Sequence, residues 1–416
     1  MVDTPSCPLC GTGERTEVSP FNGLILLRSY HDADVARYAY ALCHGCGLVY
    51  ATRRPAGAAF VELLEGFDDN LGRVDRPNLG VVEGSLSEEE KEAIRTRMRT
   101  GWKISEEHPP ADDEWWPMLR YDRLSSAQDL VLLASLVDLR GARVLDVRSN
   151  AGALLDSLRS WFGAEVFAMP SFEADGLVIE EFFEIPATRL IDYENFEIPY
   201  DGPFDVVLAK HMLTHALRPD AFLAEVKAHL RPGGYLYLYT ENDDHEMWGN
   251  RKNLLGELKC FHFQNFDLPA FTRVLRAQGF EPEWIMHLSR SSMSCLARLE
   301  PTATFVPIGE RDLEERLDLY RRWYDLSVLS LPPEIPRDPF AAELPAIEER
   351  ALARGDADGT GKAHPKRRLK LMHEAGYVEL NRRLSGEEPE TQAPRAAGRG
   401  RRLLRTAAAR VRARRG

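Results

Sequence analysis

One stretch limits the fold more than any other. Between Leu119 and Glu300, short apolar segments alternate with helical ones in regular order. "ARVLDV" and "FDVVLA" are apolar almost throughout, as strands buried on both faces are. "AEVFAM" and "RPGGYLYLYT" read as two more strands. "SAQDLVLLASLVDL", "AGALLDSLRSWF", "PDAFLAEVKAHL" and "DLPAFTRVLRAQGF" carry helical periodicity, the last stopping at Gly279. "EPEWIMHLS" and "SMSCLARLE" close the run as a strand pair. Strands alternating with helices predict an α/β fold: a mostly parallel sheet with helices on both faces. Ligands of such sheets bind at the carboxyl ends of the strands, near the switch in strand order. That directs attention to "VLDVRSNAGALL", Val144 to Leu155, which reads as strand, tight turn and first helical turn. Such turns are usually glycine-rich, yet Arg148, Ser149 and Asn150 precede Gly152 here.

Two other signals stand at the N-terminus. "CPLCG" and "CHGCG" bring Cys7 with Cys10 and Cys43 with Cys46. Each C-x-x-C-G turn aims two thiolates at one point, and two such knuckles make a closed tetrahedral zinc site with no position left for substrate. A redox dithiol is the alternative. A small segment with little core gains folding energy from the metal. "GLILLRSY" and "RYAYALC" supply residues for a hairpin between the knuckles, and His44 is expected to face solvent. The start of the chain has neither a basic nor an apolar leader, so a cytoplasmic protein without a disulfide framework is expected. Cys260 and Cys295 stand alone.

The remaining segments set the domain plan. Residues 1–55 form the zinc-ribbon-like unit, 56–116 a helical linker or lid, 117–300 the α/β domain, 301–390 a helical extension and 391–416 a basic tail. In the extension, "ERDLEERLDLYRRWYDLSVL", "AAELPAIEERALAR" and "PKRRLKLMHEAGYVELNRRL" read as helices. The net charge is -12, but nine of the 53 basic residues fall between Arg395 and Arg415, leaving 44 against 65 acids elsewhere. An acidic body argues against a nucleic-acid partner. The tail suits an amphipathic helix on an anionic membrane or an acidic partner, or a solvated terminus.

The α/β run resembles class I S-adenosylmethionine-dependent methyltransferases. "FDVVLAKHMLTHALRPDAFLAEVKAHLRPGGYLYLYTEN" is similar to that family's fourth and fifth strands with their linking helix, and "FHFQNFDLPAFTRVLRAQGF" to the segment that follows. With the cysteine pairs, the chain resembles bacterial sugar C-methyltransferases, which carry a four-cysteine zinc domain and a Gly-Ser-Asn-Asp-Gly loop. "RSNAG" keeps Ser149, Asn150 and Gly152, with Arg148 for the first glycine and Ala151 for the aspartate. The resemblance implies a Rossmann-like, seven-stranded methyltransferase sheet and S-adenosylmethionine as cofactor. It also implies a small-molecule acceptor, such as a nucleotide-linked sugar or glycan precursor.

Several positions follow from it. Asp146 orients the loop or accepts from the cofactor's ammonium, and the helix starting near Gly152 offers N–H groups to its carboxylate. Met169 stands where the family places an acid for the ribose, with Glu173 as a distant substitute. Asp192 matches the adenine side, with Phe196 nearby. Lys210 and Tyr239 are polar groups at strand ends. His262 in "FHFQNF" corresponds to a site histidine of the sugar enzymes, where Phe261 replaces their glutamate, and is a candidate base or a packing residue. His211 lies above the cofactor. His215 would share its face if the segment is helical. Asp243, Asp244, His245 and Glu246 cluster after the fifth strand. Arg148 and Met169 also fit a second function, a catalytically inactive methyltransferase fold used as a binding or scaffold module.

Overall fold

Six strands hydrogen-bond side by side in the central sheet of this computed structural model. The residues described are 2–23, 38–55, 60, 87–89, 92, 116–172, 175–176, 178–190, 192–241, 254–258, 261–289, 292–331, 335 and 337–357. The GLILLRSY strand beyond Gly23, Glu173, Cys260, the cluster at residues 243–246, most of the linker, the third extension helix and the basic tail lie outside them.

The N-terminal part holds β1 (Val2–Asp3), β2 (Arg15–Ser19), β3 (Tyr40–Cys43), β4 (Val49–Ala51) and β5 (Arg53–Arg54). The next described element is α1 (Trp116–Leu136), followed by β6 (Arg143–Ser149), α2 (Ala153–Phe162) and β7 (Glu165–Pro170). After a π-helical turn at Val178–Phe182 come β8 (Phe204–Lys210), the short α3 (Met212–His215), α4 (Pro219–His229) and β9 (Leu230–Glu241). The domain ends with α5 (Leu254–Glu257), β10 (Gln264–Asn265), α6 (Leu268–Ala277), β11 (Phe280–Ser289) and β12 (Ser292–Leu299). The extension supplies α7 (Glu310–Leu329) and α8 (Leu344–Ala353).

The sheet order is β11-β12-β9-β8-β6-β7. β7, β6, β8 and β9 are parallel, whereas β12 and β11 run antiparallel. The order reverses at β6, whose neighbours are β7 and β8. Side chains alternate as the apolar strands require. Leu145, Val147, Val207 and Ala209 enter one core layer, and Val144, Val206 and Leu208 the other, beneath α1 and α2. Where a seventh strand is expected beside β7, the described residues hold a single parallel bridge, Ala168 to Ala187. The Pro-Gly-Gly turn entering β9 needs its glycines: Gly233 has φ 72°, and a Cβ on Gly234 would lie 2.9 Å from the Arg231 carbonyl.

The N-terminal sheet has the order β10-β4-β3-β2. The expected strand at "RYAYALC" is β3, which lies between β2 and β4. Its fourth strand comes from the α/β run, since Gln264–Asn265 pairs with Tyr50 and Val49. The Tyr40 hydroxyl donates to the His262 carbonyl at 2.9 Å, and the Ala51 N–H to the Phe263 carbonyl at 2.9 Å. The helical extension closes on the same region. Arg316 of α7 donates to the Gly47 carbonyl at 2.7 Å and pairs with Asp267, the N-cap of α6. One core layer therefore runs unbroken from the cysteine knuckles through the sheet to α7. None of the described helices is long and apolar enough to cross a membrane.

Candidate functional site

The two places singled out by the sequence are separate. At the N-terminus, the sulfurs of Cys7, Cys10, Cys43 and Cys46 all lie within 4.8 Å of one another. Cys7 and Cys46 are 3.7 Å apart, and Cys10 and Cys43 3.4 Å. A disulfide would need about 2 Å. Four thiolates about 2.3 Å from a central ion sit about 3.8 Å from one another, so the spacing fits a tetrahedral metal. Hydrogen bonding to Cys10 and Cys43, with burial, pushes the Cys7 and Cys46 thiols far above their ordinary range, so ionising all four needs a cation. The Gly45 N–H points at the Cys43 sulfur at 3.2 Å. His44 turns away and bonds Thr16 at 2.8 Å. The outer carbonyls are held too, as Arg273 reaches Cys46 and Gln278 reaches Leu9. Cys7, Cys43 and Cys46 are buried and Cys10 is half-buried.

The second place is the carboxyl edge of the parallel strands. β6 continues through Ser149, but its register with β7 slips between Val147 and Ser149, so Arg148 is a bulge. Arg148 has φ 61°, in the left-handed region. The turn is left-handed again at Gly152, φ 93°, which caps α2 without a side-chain hydrogen bond. A Cβ on Gly152 would lie 2.9 Å from Ile179, so the glycine also lets residues 178–183 pack close. Asp146 and Ser149 are buried, Asn150 is exposed and Arg148 is half-buried. Ser149 Oγ and Arg148 Nε are buried without a hydrogen-bond partner among the described residues, as is Thr240 Oγ1 near the end of β9. Buried polar groups left unmatched cost about 1–3 kcal/mol each, and three of them lie along this edge, others near the knuckles and α7.

Neighbouring strand ends complete the edge. Lys210, the last residue of β8, pairs at 2.7 Å with Asp129, a fully buried acid of α1. Asp129 also accepts from the Tyr237 hydroxyl, which donates on to Ser294 in an alternative geometry. Burial and the adjacent Asp129 carboxylate push that hydroxyl far above its ordinary range. His211 follows in a left-handed conformation, φ 57°, as the N-cap of α3, edge-on to Tyr239 with ring centres 4.6 Å apart. It lies outside the helix, so it does not share a helical face with His215.

Other sequence-derived positions fall elsewhere or serve the fold. Met169 is buried in the core layer at the end of β7. Asp192 accepts from the backbone of Glu194 at 2.7 Å and Asn195 at 2.9 Å, and from the Asn195 side chain at 3.2 Å. Burial pushes its carboxyl up, but those backbone N–H groups outweigh it and hold the pKa below the ordinary value. This acid shapes its own turn. His262 is buried, edge-on to His215 with ring centres 5.0 Å apart. Phe60 of the linker packs between Tyr193 and Phe263. Sequence reasoning missed Asp129 and Thr240. The signal for Asp129 was present, an acid that opens the apolar stretch "DLVLLASL" of its helix.

Comparison with known proteins gives this geometry a context. Residues 118–283 match the family model of a methyltransferase domain. A ubiquinone biosynthesis O-methyltransferase of Xanthomonas oryzae pv. oryzae is 30% identical over 139 residues, 31% of this chain and 57% of that protein. A tRNA U34 carboxymethyltransferase of Syntrophotalea carbinolica is 28% identical over 137 residues, 32% of this chain and 39% of that protein. The chain thus spans little more than half the length of the first relative. Among solved structures, a SAM-dependent methyltransferase from Aquifex aeolicus aligns with 18% identity and TM-score 0.35, covering 45% of this chain and 100% of that one.

Proposed function

We propose that the chain is an S-adenosylmethionine-dependent methyltransferase acting on a small molecule. The backbone between β6 and α2 carries this reading: two left-handed residues, an uncapped helix start and an orphaned Ser149 hydroxyl meet where the strand order reverses. The match of residues 118–283 to a methyltransferase domain supports it.

S-adenosylmethionine, when bound, supplies a methyl group on a sulfonium. Asp146, Ser149, Asn150 and Gly152 would hold its methionine part beside the start of α2. Met169 packs at the ribose side where an acid is usual, so this end relies on shape more than on hydrogen bonds. Asp192 supports the adenine side by ordering its turn, and Lys210 keeps its charge beside the cofactor through Asp129. The resemblance to an O-methyltransferase favours a hydroxyl acceptor, and His211 at the end of β8 is the base that takes its proton. His262 buttresses this edge through His215. A nucleotide-linked sugar or glycan precursor is the acceptor class suggested by the cysteine knuckles. In those knuckles zinc is a structural ion, and the reaction takes place in the cytoplasm. The basic tail would contact an anionic membrane or acidic partner; unchanged liposome binding after deleting residues 395–416 would contradict the membrane role.

Calorimetry of the full chain with S-adenosylhomocysteine tests the reading. Micromolar binding is expected. No heat at millimolar ligand, with the metal site loaded, would sink it in favour of a non-catalytic binding module.

A further inference from the structure

Among the described residues, Arg148 is a cation at the carboxyl edge with no partner for its charge. Val147 pairs with Ala209, so Arg148 and Lys210 leave adjacent strands side by side. Lys210 is held by Asp129. Arg148 makes no hydrogen bond or ion pair with any described residue, and its Nε is buried. It also occupies a left-handed position where glycine would be relaxed and any Cβ is strained. A buried guanidinium N–H without an acceptor is costly, and a planar five-donor fork matches carboxylate or phosphate geometry. The fold gains nothing visible from placing arginine at this bulge.

We propose that Arg148 is an anion anchor, gripping a carboxylate or phosphate of a ligand seated over the ends of β6 and β8. The inference deepens the methyltransferase reading and rests on its placement of the ligand crevice. Two sources carry the same chemistry, the amino-acid carboxylate of the cofactor and a phosphate on the acceptor. Arg148 would then select for charge at a point where a glycine loop offers only backbone.

The test compares the full-length wild type with Arg148→Gln, which keeps the Cβ and its strain but removes the charge, and with Arg148→Lys. Three probes are titrated calorimetrically: S-adenosylhomocysteine, 5′-methylthioadenosine, which lacks the amino-acid carboxylate, and inorganic pyrophosphate. A cofactor carboxylate predicts that Arg148→Gln weakens S-adenosylhomocysteine about 10-fold or more and leaves methylthioadenosine unchanged. An acceptor phosphate predicts an unchanged S-adenosylhomocysteine affinity and a similar loss for pyrophosphate. Arg148→Lys recovers part of either loss. Pyrophosphate binding through Arg148 with no binding of S-adenosylhomocysteine would sink the cofactor reading and leave the anchor standing. Equal affinities of wild type and Arg148→Gln for all three probes, or no binding of any, would overturn the anchor.

Discussion

The cysteine knuckles and the end of β6 are opposite kinds of site. Around the knuckles the protein answers backbone carbonyls and charges with its own side chains, although Arg316 Nε, Gln264 Oε1 and Asn265 Nδ2 nearby are also buried without a described partner. Arg273 and Arg316 cap the carbonyls of Cys46 and Gly47, Gln278 caps Leu9, and Asp267 neutralises Arg316. Along the carboxyl edge of the parallel strands, Arg148 Nε, Ser149 Oγ and, on β9, Thr240 Oγ1 are buried without a described partner, and Arg148 and His211 are held in strained backbone. The knuckles are bound to the rest of the fold by contacts from α6 and α7, whereas the strand edge joins unpartnered groups to left-handed backbone, and such strain persists only where the surroundings enforce it. Two motifs equally visible in a sequence can therefore differ in role, and the difference lies in what surrounds them.

The largest expected effect falls on the knuckles. Cys43→Ser, or stripping the metal with a chelator, should lower the melting temperature by about 10 °C or more, because the ion ties together residues that have little core of their own. Mass spectrometry should find one zinc per chain, absent in the variant. Next is the ion pair that anchors the extension. Arg316→Ala leaves Asp267 buried and uncompensated and should cost about 3–5 kcal/mol in denaturant unfolding. A loss below about 1 kcal/mol would show that α7 does not brace the knuckles.

At the end of β6 the sign reverses. Arg148→Gly relieves a left-handed side chain and should stabilise the folded state by about 1 kcal/mol while impairing ligand binding. A destabilised variant would mean that the arginine serves the fold. The smallest effect is pH-dependent. Burial pushes the Asp356 carboxyl up, but hydrogen bonds from Arg322 and Arg354 outweigh it and hold its pKa below the ordinary 3.8. A depressed folded-state pKa stabilises above the unfolded value, and the gain is lost as pH falls through the folded one. The stability difference between wild type and Asp356→Asn should thus be at most about 1 kcal/mol at pH 7 and fade below pH 4. A difference unchanged at pH 2.5 would contradict it.

Much of this contrast was legible in the sequence, though not all. The long helices and the strands of the central sheet follow from periodicity, because the parallel strands are apolar almost throughout and each long helix is apolar on one face. The four cysteines meet as their spacing implies. β10 was not legible, because two residues carry no period and pair only when β4 presents its edge. Nor was the seventh strand's reduction to one bridge at Ala187, or the use of Asp192 on its own turn, since both depend on local hydrogen bonding. The sequence marked Arg148 as an anomaly but could not give its φ. Its backbone takes the conformation a glycine would have taken, and the unusual part is the side chain.

Hydrogen exchange of the full chain with and without S-adenosylhomocysteine compares the two sites in one experiment. Slower exchange at residues 148–155 and 210–213, with residues 40–54 unchanged, is the expected result. Protection confined to residues 40–54, or none anywhere at saturating ligand, would contradict the assignment of binding to the end of β6.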